Sequence, residues 1–338
     1  MIAKLDKFYV NQYIITFRAL QTIVLPHYFL PFCRDSLKTT IDTYIKRNKA
    51  SDNTILFKVM QTPGVLVQKT DKPAIENPYF DTIAADHPMY GQFLNKETAG
   101  WCLQYLQLST SPLLEARSQL QFKLIMYGKI DLIWQEPDWI SILQQWAQNG
   151  LGIPNAAFAL QDIEAPPIMG IHQQEAERYP IKISDFETQT PLHEGVISLQ
   201  SPTLIDFQHH SFTFEKMVTS AVKRMLRLQF LYIHQAEWWQ INDKNELTEF
   251  GQTNNKLLNN LEQVRIKFLH LNYYSQLHIS QNIRKGKQHI PLEGYIGEIA
   301  YKDYKMILNE YWPILQMAQY TALGEHINYG NGWIKCYG

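Results

Sequence analysis

The sequence predicts an α+β fold: two tandem ferredoxin-like (RRM-like, βαββαβ) domains with a helical insertion in the second. Three observations carry this expectation. Strand-like runs and helical patterns follow one another in the same order twice along the chain. The triplet Ile-Leu-Gln occurs at 142–144 and again at 314–316, and each copy leads into a Leu-Gly step, at 151–152 and 323–324. At 338 residues, the chain is about twice the length of an ordinary domain. The two units are expected at 1–190 and 191–338.

In the first unit, Phe8 to Leu20 is rich in Tyr, Ile, Val and Phe and reads as a strand. Pro26 and Pro31 interrupt the chain, and Arg34 to Lys49 follows as a helix with Leu37, Ile41, Tyr44 and Ile45 on one face. Leu120, Phe122, Leu124 and Met126 alternate with Gln119, Gln121 and Lys123, the pattern of a half-buried strand. Gly128 and Lys129 are expected to turn that strand back into a hairpin. A helix from about Glu136 to Gln148 stops at Gly150 and Gly152, and Ala157 to Ile163 closes the unit as a strand.

The second unit opens with a strand at Val196 to Phe207. Thr213 to Tyr232 follows as an amphipathic helix whose Phe214, Met217, Val218, Ala221, Met225 and Leu228 share one side. A polar helical stretch, roughly 245–270, reads as inserted. Leu292 to Tyr301 is a strand punctuated by glycine, Asp303 to Tyr320 a helix, and Trp333 to Cys336 the last strand.

Composition removes several classes of function. With 45% hydrophobic and 19% charged residues, the chain has the makings of a core and is not a disordered polyampholyte. A net charge of −1 excludes a uniformly basic nucleic-acid coat, though not a local basic surface. Residues 1–200 carry 17 Lys+Arg against 20 Asp+Glu, a balance of −3, while 201–338 carry 14 against 12, a balance of +2. The 3 cysteines, Cys33, Cys102 and Cys336, form no CxxC pair, which argues against a disulfide framework and a thiolate zinc site. Eleven histidines are scattered without ligand spacing, so neither metal nor cofactor is expected. No GxxxxGK[ST], strand-linked GxGxxG, GxSxG or HExxH pattern occurs. The apolar stretch from Ala19 to Phe32 is broken by Gln21, Pro26, His27 and Pro31, so it reads as neither a membrane span nor a signal peptide, and the chain reads as cytoplasmic.

Three local patterns suggest an anionic partner. Lys216, Lys223 and Arg227 line up along the helix at 213–232, opposite its apolar face. Arg284-Lys285-Gly286-Lys287 is a compact basic patch with Tyr273, Tyr274 and His278 upstream. Cations beside aromatic rings suit RNA, since rings stack on bases and cations meet phosphates; a solvated helix face and tyrosines in a core are the plainer alternatives. The third pattern is the stretch Leu323 to Trp333, with Gly324, His326, Tyr329, Gly330 and Gly332. Either its amides are exposed to bind phosphate, or it is a tight helix-to-strand connection that needs positive φ.

These residues together resemble a known family. The run Phe122-Lys123-Leu124-Ile125-Met126-Tyr127 before Gly128, then a helix and Gly150-Leu151-Gly152, is similar to the first-domain signature of the CRISPR-associated repeat-processing endoribonucleases of the RAMP superfamily. Gly294-Tyr295-Ile296-Gly297-Glu298-Ile299-Ala300-Tyr301 resembles the segment that follows that family's Arg-Tyr-Ser-type motif, and Gly324 to Gly332 resembles its terminal glycine-rich loop. The resemblance covers roughly 8–338. It departs from the pattern in three places. The Arg-Tyr-Ser-type motif is reduced to His278-Ile279-Ser280, the cysteines some relatives carry before a Pro-Tyr step are absent near Asn77-Pro78-Tyr79, and Glu325 stands where many relatives carry a basic residue.

The resemblance implies a metal-independent endoribonuclease that cuts CRISPR repeat RNA (pre-crRNA) into guide RNAs. Attack by a ribose 2′-OH would leave 2′,3′-cyclic phosphate and 5′-OH ends. Such chemistry needs a base, an acid and cationic support for the phosphorane. By resemblance the catalytic histidine lies near the first strand–helix junction, which points to His27, with Tyr28, Arg34 and Lys38 behind it; His209, His210, His289 and His326 remain alternatives. The RNA-binding set implied is Lys216, Lys223, Arg227, Arg284, Lys285, Lys287, Gly324, His326, Tyr329, Gly330 and Gly332. Other Cas proteins, including reverse transcriptase and integrase modules, are expected partners, and no membrane is. Two further readings stay open: a non-catalytic RAMP scaffold that holds guide RNA, and a two-domain protein with no RNA ligand.

Overall fold

The computed structural model describes residues 8, 10–26, 28–48, 64–66, 74–77, 80–83, 100–106, 112–127, 138–166, 181–186, 192–205, 212–228, 260–282 and 286–338. The first unit comprises β1 (Val10–Ala19), α1 (Leu30–Asn48), β2 (Trp101–Tyr105), β3 (Gln119–Tyr127), α2 (Asp138–Gln148) and β4 (Phe158–Glu164). The second comprises β5 (Glu194–Thr203), α3 (Phe214–Leu228), β6 (Arg265–Asn282), β7 (Gly286–Lys302), α4 (Ile307–Thr321) and β8 (Ile334–Tyr337). The first sheet is antiparallel with the order β2-β3-β1-β4, and the second repeats it as β6-β7-β5-β8. Both are the βαββαβ arrangement, so the tandem ferredoxin-like fold stands. A short pairing of Ile23–Val24 with Leu113–Leu114 and a small sheet of Gly64–Leu66, Ala74–Asn77 and Phe80–Ile83 lie outside this plan.

The duplicated Ile-Leu-Gln triplets fall on α2 and α4, equivalent second helices. Their glycines also play one part. Gly152 and Gly324 both have positive φ, and a Cβ would come within 2.5 Å of the Phe32 carbonyl oxygen and 2.6 Å of the Leu204 carbonyl oxygen, respectively. In each unit the chain leaving the second helix passes so close to backbone that only glycine fits.

Three expectations need correction. The first helix starts at Leu30, not Arg34; Pro31 sits in its first turn, where a missing N–H costs nothing. The second strand is Trp101–Tyr105, paired with β3 from Trp101↔Met126 to Tyr105↔Phe122. The hairpin placed at Gly128 and Lys129 lies outside the described residues, and β3 is the third strand rather than the second. The polar stretch 245–270 is not one helix: Arg265 to His270 is strand, preceded by a 3₁₀ turn at Leu261–Gln263, and 245–259 lie outside the described residues.

Two apolar clusters hold the fold, and they do not divide along the sequence. One contains Phe17, Leu120, Phe122, Leu124, Met126, Ile142 and Trp146, between the first sheet and its helices. The other joins the core of the second unit (Met217, Ala221, Met225, Ile299, Leu315, Trp333) to residues of the first, among them Phe8, Val10, Cys102, Ile125, Tyr127, Ile181 and Ile183. Alternate residues of β3 therefore enter different clusters, and the strand is buried on both faces toward its end. No helix among the described residues is long and apolar enough to cross a membrane.

Beyond Tyr295 the second sheet narrows. β5 accompanies β7 only from Glu194↔Lys302 to Thr203↔Tyr295, whereas β6 and β7 continue together to Asn282↔Gly286. Residues 274–282 and 286–294 thus form a two-stranded arm that reaches past its own sheet to α1.

Candidate functional site

The arm, the first turns of α1 and the glycine-rich stretch after α4 meet at one place. His278, 1% exposed, reaches from β6 so that its Nε2 lies 3.0 Å from Asp35 Oδ2 on α1. The other carboxylate oxygen, Asp35 Oδ1, accepts from Arg34 Nη1 at 2.9 Å. Arg34 is buried, and its guanidinium lies over the Tyr329 ring at 4.9 Å and the Trp101 ring at 5.8 Å. The His278 ring meets Phe32 edge-on at 5.0 Å and Tyr329 at 5.5 Å.

A second set of contacts runs alongside. The Tyr28 hydroxyl donates to Asn331 Oδ1 at 2.8 Å, and the Tyr28 ring packs on Tyr274 of the arm at 5.5 Å. Burial pushes the Tyr28 phenol well above the ordinary tyrosine range and that of Tyr274 to about 12. Both therefore remain protonated donors near neutral pH. His278 Nδ1 and Asn331 Nδ2 are buried with no hydrogen-bond partner among the described residues. Arrangements of this kind can hold a chain junction rigidly, and a carboxylate behind an imidazole fixes the ring and its tautomer.

The residues singled out by sequence are distributed unevenly. Tyr28, Arg34, His326, Tyr329 and Gly330 come together here, with Lys38 half-exposed one turn along α1 from Arg34. His27 lies outside the described residues, as do His209, His210, Arg284 and Lys285, and the side chains of Arg227 and Lys287. His289 is exposed on the arm. Lys216 and Lys223 sit on α3, half-buried and exposed respectively.

The glycine-rich stretch is a tight connection. The Gly324 amide donates to Ser220 Oγ at 2.9 Å, Gly330 to the Ile327 carbonyl at 2.9 Å and Gly332 to the Pro202 carbonyl at 3.0 Å. All three have positive φ, and a Cβ on Gly332 would run into the Leu323 carbonyl. These three glycine amides are committed internally and are not offered to an anion.

Sequence reasoning passed over Asp35, Phe32, Asn331, Lys123 and Lys335. The last two come from β3 and β8: burial and the charge of Lys335 hold the Lys123 ammonium below the ordinary lysine range. The alternation of β3 had already placed Lys123 opposite the apolar face, but the approach of Lys335 comes only from folding.

A family model described as CRISPR-associated endoribonuclease Cas6 matches residues 197–334. Solved structures similar to this chain include a Cas6 product complex, 10% identical, covering 97% of this chain and 100% of that one with a TM-score of 0.49. Cas6 from Thermus thermophilus is 10% identical, with coverage of 98% and 99% and a TM-score of 0.45. A chain of a partial Cas6-RT-Cas1–Cas2 complex is 9% identical, covering 98% of this chain and 46% of that one, with a TM-score of 0.49. No curated protein matches the sequence.

Proposed function

We propose that this chain, whose residues 197–334 match the family model described as CRISPR-associated endoribonuclease Cas6, cuts CRISPR repeat RNA without a metal ion. That family match is the observation that carries the reading. In the proposed reaction the ribose 2′-oxygen forms a bond to the adjacent phosphorus and the bond from phosphorus to the 5′-oxygen breaks. The hydroxyl proton passes to a base, and an acid returns one to the departing 5′-oxygen. His27 is assigned a proton-transfer role, and Lys38, half-exposed on α1, the phosphorane charge. Tyr28 and Asn331 set the wall of the site. Arg34 is buried against Asp35 and shapes the site rather than meeting the phosphate. The RNA path is assigned to Lys216, Lys223 and Arg227 on α3, to Arg284, Lys285 and Lys287, and to Lys123 and Lys335.

The test is cleavage of the cognate repeat RNA in EDTA by wild type and His27→Ala, with a second RNA carrying a single 2′-deoxy at the cut. Cleavage that survives EDTA and stops with the deoxy substrate supports transesterification; loss in His27→Ala with binding retained supports the histidine's role. A second reading, a guide-RNA scaffold without catalysis, is favoured by the burial of both His278 and Arg34 against Asp35, which leaves neither exposed to substrate. Tight binding with no cleavage by wild type selects it.

A further inference from the structure

The arm poses a physical question of its own. A ribbon of two strands is marginally stable in water, because each strand lacks a second neighbour and neither face has a sheet to pack on. Residues 274–282 and 286–294 pair only with each other among the described residues. Yet the inner face of the ribbon carries the buried His278 and Leu292, 1% and 0% exposed, while Leu277 and Ile279 on the opposite face are 58% and 51% exposed. The ribbon is therefore held from one side. The contacts on that side include His278 to Asp35, His278 to Phe32 and Tyr274 to Tyr28, which lead to α1 or the turn that enters it, and His278 to Tyr329, which leads to the stretch after α4.

The chain leaves this ribbon along β7 through backbone that only glycine fits. Gly294 and Gly297 on β7 have φ of 155° and 141°, and a Cβ on Gly294 would lie 2.5 Å from the Thr203 amide nitrogen. The β5–β7 register shifts at the same level, between Leu199 and Thr203. The second sheet thus releases the ribbon at this point, and His278, about 13 Å further along β6 from Tyr274 at ~3.3 Å per residue, is where it is caught again.

Resting on the endoribonuclease reading, we propose that His278, acting through Asp35, is a positioning residue that pins the arm to α1. The pin sets the turn before α1 in place for cleavage. The hydrogen bond joins residues 243 apart in sequence, from different units, and it is a polar contact between arm and helix. The same Asp35 holds Arg34, which underlies Tyr329, and Tyr329 in turn touches the His278 ring. Releasing the pin frees the arm and loosens the Tyr28 junction together. Because His278 is buried and does not itself meet RNA, its loss acts on the rate of the chemical step more than on affinity.

The test compares wild type, His278→Leu and His278→Gln in the full chain. Gln presents an Nε2 donor where the imidazole does, while Leu fills the space without one. Amide hydrogen exchange is followed at 274–282 and 286–294, with repeat-RNA affinity and the single-turnover cleavage rate. The expected result for His278→Leu is faster exchange in the arm, a cleavage rate down by tenfold or more, and affinity within about threefold of wild type. His278→Gln is expected to restore slow exchange and most of the rate. Unchanged exchange in His278→Leu, faster exchange with a wild-type cleavage rate, or equal losses of rate in Leu and Gln would each overturn the pin. An inactive wild type overturns the nuclease reading and the pin with it; an active wild type with an unaffected His278→Leu overturns the pin alone.

Discussion

Arg224 Nε donates to the Thr321 carbonyl oxygen at 3.2 Å, closing the last turn of α4 with a buried guanidinium. The neighbouring carbonyl, that of Tyr320, accepts from Tyr127 at 2.9 Å, and Tyr127 belongs to the first unit. The C-terminal end of one helix is thus capped from both units at once. A cation suits that end, where unpaired carbonyls carry partial negative charge.

Replacing Arg224 by Met keeps the stem and removes the cap. Hydrogen bonds to charged groups contribute roughly 1.5–3 kcal/mol, so Arg224→Met is expected to lower the unfolding free energy by about that amount. Urea denaturation followed by tryptophan fluorescence measures it. A midpoint unchanged from wild type would show that the Thr321 carbonyl finds another donor.

Gly152→Ala and Gly324→Ala are expected to behave alike, since each puts a Cβ into a backbone carbonyl at positive φ. Left-handed backbone in a non-glycine residue costs about 1–3 kcal/mol before any collision is counted. Thermal melts of both variants should show clear losses. If one tolerates alanine and the other does not, the structural equivalence of the two helix exits fails.

Tyr28→Phe removes the donor to Asn331 Oδ1. A buried neutral hydrogen bond is worth about 1 kcal/mol, and if Tyr28 holds the wall of the site the cleavage rate falls as well. Burial keeps the phenol protonated well above its ordinary range. The ratio of wild-type to Tyr28→Phe rates is therefore expected to stay constant between about pH 6 and 9. A ratio that changes across that window would mean that Tyr28 ionises there.

Salt dependence tests the proposed RNA path. Contacts to about four to six phosphates give a slope of log K against log salt near −3 to −4, at about −0.7 per phosphate for single strands. Replacing Lys123 and Lys335 together by Gln should flatten that slope by about 1.4. A slope near zero in the wild type would remove RNA as the ligand, and an unaltered slope in the double variant would take these two lysines off its path.

The parts of the fold that could be read from sequence are those with one buried face. The helix at 213–232 showed its six apolar positions at helical spacing, and all six are buried on α3. Trp101–Tyr105 was passed over because Trp101, Cys102 and Leu103 are buried in succession, Cys102 toward the second unit and its neighbours toward the first, which erases the period of two. Pro31 suggested a break where it marks a start. Of the site, Tyr28 and Arg34 were singled out from their place behind His27, whereas Asp35 drew no notice. Its partner His278 lies 243 residues away, and no local pattern signals an ion pair between distant segments.

The shared apolar cluster separates two ways of counting this protein. By topology it is one motif written twice. By cohesion it is not, because Phe8, Val10, Cys102, Ile125 and Tyr127 have been annexed by the neighbour's core. Cut away from its neighbour, the first half would surface core side chains that the second half now covers. The motif repeats, while the packing is shared.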